Sequence, residues 1–267
     1  MNDLVDAEFD THPEYISKSR ISTFKWCPLK YKKNYIDGIR DNSPNHSLAI
    51  GTRFHAFADT LIKVVTDKEI PYSRWYELIH PDYSEYEKEM LTWFIDQEID
   101  RLSEFNFDID KWKPAATEYK VVNHKYGLRG IIDRIDIIDD LMIINEYKTS
   151  KSIIDQNLQQ EFGFYKLLLS EDERFNKFTN VIGRVIAPRI KEVKMLTPSK
   201  ETTILRNIEK LQNAITSGIF EPTCAEFKMS YCGNICTIEE SKLYEPKEKK
   251  WATASKESKN NVGDKHD

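Results

Sequence analysis

The spacing of apolar positions changes twice along the chain. Phe24, Cys27, Tyr31 and Tyr35 recur at helical spacing and predict a helix from about residue 20 to 36. Pro28 breaks or kinks it, because proline lacks a backbone donor and crowds the preceding turn. Residues 51–66, GTRFHAFADTLIKVVT, put Phe54, Ala58, Leu61 and Val65 on one side of a second helix. YSEYEKEMLTWFIDQEIDRL gives a third, with Tyr86, Met90, Phe94 and Ile99 roughly in line. Then the period shortens. ATEYKVVNH, GLRGIIDRIDII and LMIINEYKT are short runs rich in Ile, Val and Tyr, separated by tight breaks, and read as strands. A helix over 155–170 carries Leu158, Phe162, Tyr165 and Leu169; NVIGRVIAPRI and EVKML read as two more strands. Residues 201–217 form an amphipathic helix with Ile204, Ile208, Leu211 and Ile215 inward, and Gly218 is placed to end it. Helices, three strands, helix, strands, helix: this order predicts an α/β (α+β) domain with a helical N-terminal part.

One strand pair carries chemistry. If Asp139-Asp140 is a two-residue hairpin turn, Ile138 pairs with Leu141, Asp133 falls opposite Glu146, and Lys148 falls opposite Ile131. Side chains alternate along a strand, so Asp133, Glu146 and Lys148 share one face, which continues as Ile135, Ile144, Ile137 and Met142. Asp136 lies an odd number of residues from Asp133 and faces the other way. Directly opposed carboxylates repel, so a cation must compensate them. Lys148 supplies one charge and a divalent metal would supply two. A salt-bridged cluster at the sheet edge is the competing reading.

Net charge is −5, which excludes a globally basic nucleic-acid binder. The distribution is uneven, however. Residues 1–14 hold five acids and no Lys or Arg, whereas 16–40 hold seven Lys or Arg and one acid. That basic stretch is either a solvated helix face or a phosphate-binding patch built on Lys18, Arg20, Lys25, Lys30 and Lys32. No run approaches the length of a membrane span, and the acidic start is no secretory signal, so the expected setting is intracellular and cytoplasmic, without a membrane partner. Disulfides are rare there, so Cys27, Cys224, Cys232 and Cys236 need another role. Residues 1–15 read as a flexible leader, and the Lys-, Glu-, Ser- and Asn-rich residues 241–267 as a disordered tail.

Asp133 with Glu146-Tyr147-Lys148 resembles the PD-(D/E)XK nuclease motif, and the surrounding stretches resemble its RecB-like branch, which includes CRISPR adaptation nucleases and nuclease domains of recombination helicases. SKSRISTFKWCPLKYKKNY is similar to that branch's N-terminal signature, GTRFHAFAD to its G-x-x-x-H element, and LRGIIDRID to its G-x-x-D-R-x-D strand. QQEFGFYKLLL resembles its Q-x-x-x-Y helix with Tyr165 in the Tyr place, although the residue four before it is Glu161 and Gln160 is one step off. The resemblance implies a restriction-endonuclease-like central mixed sheet flanked by helices. It places a nuclease domain over 16–240, with a helical part at 16–105 and the catalytic core and Cys-rich segment at 106–240. It implies a metal-dependent DNA nuclease, expected to act as an exonuclease on single strands or ends. The alternative is an inactive nuclease-fold DNA-binding subunit of a recombination or CRISPR-type complex. The implied catalytic residues are Asp133, Glu146, Lys148, Tyr165 and Gln160. Mg²⁺ or Mn²⁺ would be held by His55, Asp133, Glu146 and the Tyr147 carbonyl. The one-plus-three cysteine layout is similar to that of members carrying a [4Fe-4S] cluster, although the spacing here is C-x7-C-x3-C where the family usually shows C-x2-C-x5-C. Zinc, or plain reduced thiols, are the other readings. DNA is the implied partner, with a helicase or integrase-type protein in a larger complex. Tyr31 and Trp26 are candidate base-stacking residues, and Glu118 is either a neighbour of the metal site or a surface charge.

Overall fold

The computed structural model of the protein describes residues 9, 14–39, 46–68 and 70–223. The expected leader and tail lie almost wholly outside them, as do Cys224, Cys232 and Cys236. The chain divides into two compact units, one of residues 1–22 and 42–217, the other of 23–41 and 218–267.

The larger unit is built on five strands: β1 (Ala116–Asn123), β2 (Leu128–Ile138), β3 (Leu141–Tyr147), β4 (Asn180–Ala187) and β5 (Glu192–Leu196). They lie side by side in chain order; β3 and β4 run parallel and the other pairs antiparallel. The expected mixed sheet flanked by helices is therefore what forms. The Asp139-Asp140 turn is present, with Asp139 left-handed (φ 54°), and Ile138 pairs with Leu141 through Arg134 with Asn145.

The helices are α1 (Lys18–Trp26), α2 (Pro28–Tyr35), α3 (His46–Lys68), α4 (Glu85–Glu104), the single turn α5 (Ile109–Trp112), α6 (Asp155–Leu168) and α7 (Glu201–Ser217). The helix expected over 20–36 is thus two, separated at Cys27, with Pro28 opening the second where its missing donor costs nothing. Helix α4 starts with a capping box in which Ser84 and Glu87 satisfy each other's backbone donors. It packs with α3 over one face of the sheet, around Phe54, Leu61, Trp75, Phe94, Trp112, Tyr147 and Ile186. Helix α6, the crossover from β3 to β4, covers the other face with Leu158, Phe162 and Tyr165 buried as expected, and Leu169 is buried in the short 3-10 turn that follows it. The helix lies so close that a Cβ on Gly183 would fall 2.1 Å from the Phe162 ring. Helix α7 buries Ile204, Ile208 and Leu211; Ile215, expected inward, is exposed because it lies in the last turn, past the surface that the helix covers. Tyr86 of α4 is likewise exposed, sitting in the helix's first turn.

In the second unit Tyr31 stacks on Phe220 with ring centroids 6.0 Å apart, and touches Phe24 and Tyr35 edge-on or tilted. Tyr31 is buried, so it is a core residue and not a base-stacking platform; Trp26 is exposed. Cys27 is fully buried.

Candidate active site

The β2–β3 ladder stops at Arg134–Asn145. One step further, the Tyr147 N–H donates to the Asp133 carboxylate at 2.7 Å, taking a side-chain acceptor in place of a backbone one. Strand β3 leans instead toward β4, where the Lys148 N–H donates to the Ile186 carbonyl. Lys148 therefore does not face Ile131, contrary to the simple register. The divergence opens a gap between β2 and β3 in which Asp133, Glu146 and Lys148 meet.

Helix α3 brings His55 to this gap. One turn earlier, Gly51 passes so near the end of β3 that a Cβ there would lie 3.2 Å from Thr149 Oγ1. His55 Nδ1 is 3.3 Å from Asp133 Oδ1 and 3.7 Å from Glu118 Oε1. Ligand atoms of His55, Glu118 and Asp133 all lie within 4.8 Å of one another, the one such group among the described residues. Glu118, which the sequence left as either a neighbour of the metal site or a surface charge, stands in this group. The β1–β2 ladder skips it, and its backbone is left-handed (φ 42°), a conformation that a non-glycine residue adopts at a cost of about 1–3 kcal/mol. Alternation along β1 gives no sign of this. The register of the β1–β2 hairpin would have, since it sets Glu118 beside Asp133.

These residues fit a hard divalent ion. Glu118 Oε1 is buried without a hydrogen-bond partner, a costly state for an acceptor unless a cation completes it. Burial and the nearby charge of Glu146 push the Asp133 carboxyl up, as expected of an anion short of positive charge. Burial pulls the His55 imidazole down, but the carboxylates of Asp133 and Glu118 beside it outweigh this and raise it to about 10. Oxygen ligands with one imidazole suit Mg²⁺ or Mn²⁺.

Glu146, expected beside them as a ligand, has both oxygens engaged on its other side. Oε1 accepts from Lys148 (2.6 Å) and Lys18 (2.9 Å), and Oε2 from the Tyr165 hydroxyl (2.9 Å). Burial opposes the charged form, yet the two ammoniums win and hold its carboxyl below the ordinary range. Lys148 also donates to Glu161 at 3.0 Å. Glu161 thus reaches the cluster; Gln160, one step around α6, points away and accepts from Asn207. Of the expected basic patch, Lys18 turns inward because Ile16 bridges to Leu128 just before α1 begins. Arg20 donates to the Glu14 carbonyl, and Lys32 pairs with Asp37; Lys25, Lys30 and Lys32 belong to the second unit.

The opposite face of β2 holds a separate network. Arg134 donates twice to Asp136 (2.8 Å each) and once to Glu98 (2.7 Å). Arg101 completes Glu98, and Arg184 and Asn145 complete Asp136. Asp136 is buried there, away from the His55–Glu118–Asp133 group, as its parity along the strand requires. The site itself opens into a cleft of about 570 Å³ lined by Ser47, Leu48, Gly51, His55, Glu118 and Thr149, among others.

No curated protein matches the chain. Among solved structures, a candidate exonuclease from Eubacterium rectale aligns over 97% of this chain and 92% of its own at 10% identity, with a TM-score of 0.43. The protein SSO0001 aligns over 88% and 94% at 16% identity, with a TM-score of 0.35. Among the described residues no helix is long and apolar enough to cross a membrane. The profile of the PD-(D/E)XK nuclease superfamily matches residues 15–240, a span that contains the whole cluster and its β2–β3 motif, and the chain belongs to that superfamily.

Proposed function

We propose that the protein is a metal-dependent deoxyribonuclease of the RecB-like branch that works as an exonuclease on single strands or DNA ends. The observation that carries this reading is the convergence of Asp133, Glu146, Lys148 and His55 at one gap in the sheet, beside the open cleft. His55, Asp133 and Glu118 would hold a divalent ion, Mg²⁺ or Mn²⁺, which when bound would supply Lewis-acid activation of phosphate and water. His55 must give up its proton to serve as a ligand. Lys148 points its ammonium along the shared edge of Glu146 and Glu161, where it can orient the attacking water and meet negative charge developing on the phosphate. Tyr165 fixes the far oxygen of Glu146, so the carboxylate cannot rotate.

The cysteines extend the proposal to a [4Fe-4S] centre, with zinc as the competitor. Its support is local: the Thr223 hydroxyl donates to the Trp26 carbonyl, so the residue before Cys224 touches the residue before the buried Cys27. Absorbance near ~400 nm in anaerobically purified protein, with iron analysis, tests it.

Cleavage of end-labelled linear single-stranded DNA in Mn²⁺, with circular single strands left intact, is the expected result. Lys148→Ala should lower the rate by about 10²-fold or more. Cleavage that survives this change would break the assignment of Lys148. No cleavage of any nucleic acid by the parent would favour a binding subunit, in line with a partner helicase or integrase.

A further inference from the structure

We infer that Lys18 and Glu161 form a charge-complementary pair that positions Lys148 and Tyr165 on Glu146. This goes beyond the nuclease motif but rests on reading Glu146 and Lys148 as its working parts.

The starting point is the departure in α6. The helix resembles a Q-x-x-x-Y element, but Glu161 stands four before Tyr165 where that element has an amide. A neutral amide would offer Lys148 an acceptor and no charge. A carboxylate instead brings a second anion onto an ammonium already bound by Glu146: Lys148 lies 2.6 Å from Glu146 Oε1 and 3.0 Å from Glu161 Oε1. Two buried carboxylates cannot share one lysine without leaving a net negative charge in a desolvated site.

Lys18 removes that excess. Its ammonium bridges the same two oxygens, Glu146 Oε1 at 2.9 Å and Glu161 Oε1, and donates to the Tyr165 hydroxyl at 2.7 Å. Its position over the Tyr165 ring, 5.1 Å from the centroid, adds a cation–π contact. Two ammoniums and two carboxylates therefore alternate around a neutral square, with Tyr165 closing one corner. The square ties three distant parts of the chain: the start of α1, the end of β3 and the middle of α6. Its balance depends on Lys18 and Glu161 together. Either one alone leaves unpaired charge against Glu146 and pulls Lys148 out of place; removal of both restores neutrality with a glutamine as acceptor.

The test is a double-mutant cycle in the full chain: Lys18→Met, Glu161→Gln and the two combined, with Lys18→Arg as the charge-conserving control. Single-stranded DNA cleavage in Mn²⁺ gives kcat and KM, and thermal denaturation gives a readout independent of turnover. Each single change should lower kcat by about tenfold or more with KM little moved, and lower the melting temperature; the double variant should recover to within about threefold of the parent in kcat and melt no lower than the weaker single. Lys18→Arg should keep most of the parental kcat. Single-change effects that multiply in kcat and add in melting temperature would overturn the pairing. Coupling in stability with kcat untouched would overturn the positioning role. If the parent cleaves nothing, the nuclease reading fails, yet the melting cycle still reads whether the pair exists.

Discussion

Removing Arg134 tests the division of β2 into a face proposed to serve catalysis, with Asp133, and a structural one, with Arg134 and Asp136. Arg134 is fully buried and makes three charge-assisted hydrogen bonds, two to Asp136 and one to Glu98. Burial disfavours its charge, but Asp136 and Glu98 outweigh this and raise its pKa well above the ordinary range. Arg134→Met keeps much of the side-chain volume and deletes the charge. Glu98 would still have Arg101, and Asp136 would still have Arg184 and Asn145, so neither anion is left bare. The cost is therefore at most that of a buried pair broken without compensation, about 3–5 kcal/mol. For a unit of this size that ceiling corresponds to a fall in melting temperature of roughly 6–20 °C. Differential scanning calorimetry measures it, alongside Mn²⁺ binding by titration calorimetry at a temperature where the variant is folded. The expected result is a large loss of stability with Mn²⁺ affinity within about threefold of the parent. A variant as stable as the parent but unable to bind Mn²⁺ would refute the separation of the two faces.

Glu118→Gln should weaken Mn²⁺ binding by about tenfold or more without changing the circular dichroism, and unchanged affinity would remove Glu118 from the site. Gly183→Ala should destabilise by at least about 1–3 kcal/mol in urea, because its methyl group would overlap the Phe162 ring; equal midpoints would show that α6 does not seat there. Acid should destabilise the protein through Asp136. Burial tends to raise its carboxyl, but Arg134, Arg101 and Arg184 prevail and hold it well below the ordinary range. A depressed pKa contributes stability that is fully present above the unfolded value of about 3.9 and is lost as pH falls toward the folded one, so urea midpoints should drop below about pH 4. In Asp136→Asn the starting stability should be lower and this acid-driven drop smaller; an undiminished drop would place the acid sensitivity elsewhere.

Much of this was legible in the order of residues. Periodicity located the long helices and all five strands, though not the single turn α5, because burying one face imposes a period of 3.6 or 2 wherever a core must form. The parity of β2 put Asp133 and Asp136 on opposite faces, and hairpin geometry fixed the register from Ile138–Leu141 to Arg134–Asn145. The resemblance supplied His55 and Tyr165, and both reach the cluster. What only the tertiary structure decided lies where regular pairing ends. The parting of β2 from β3 at Asp133, the left-handed Glu118, and the arrival of Lys18 from α1 depend on contacts between segments far apart in the chain. Local patterning reports how each segment buries its own apolar face. It carries no information on which distant charge will balance a buried carboxylate, because that balance is set by where the folded backbone brings the two together.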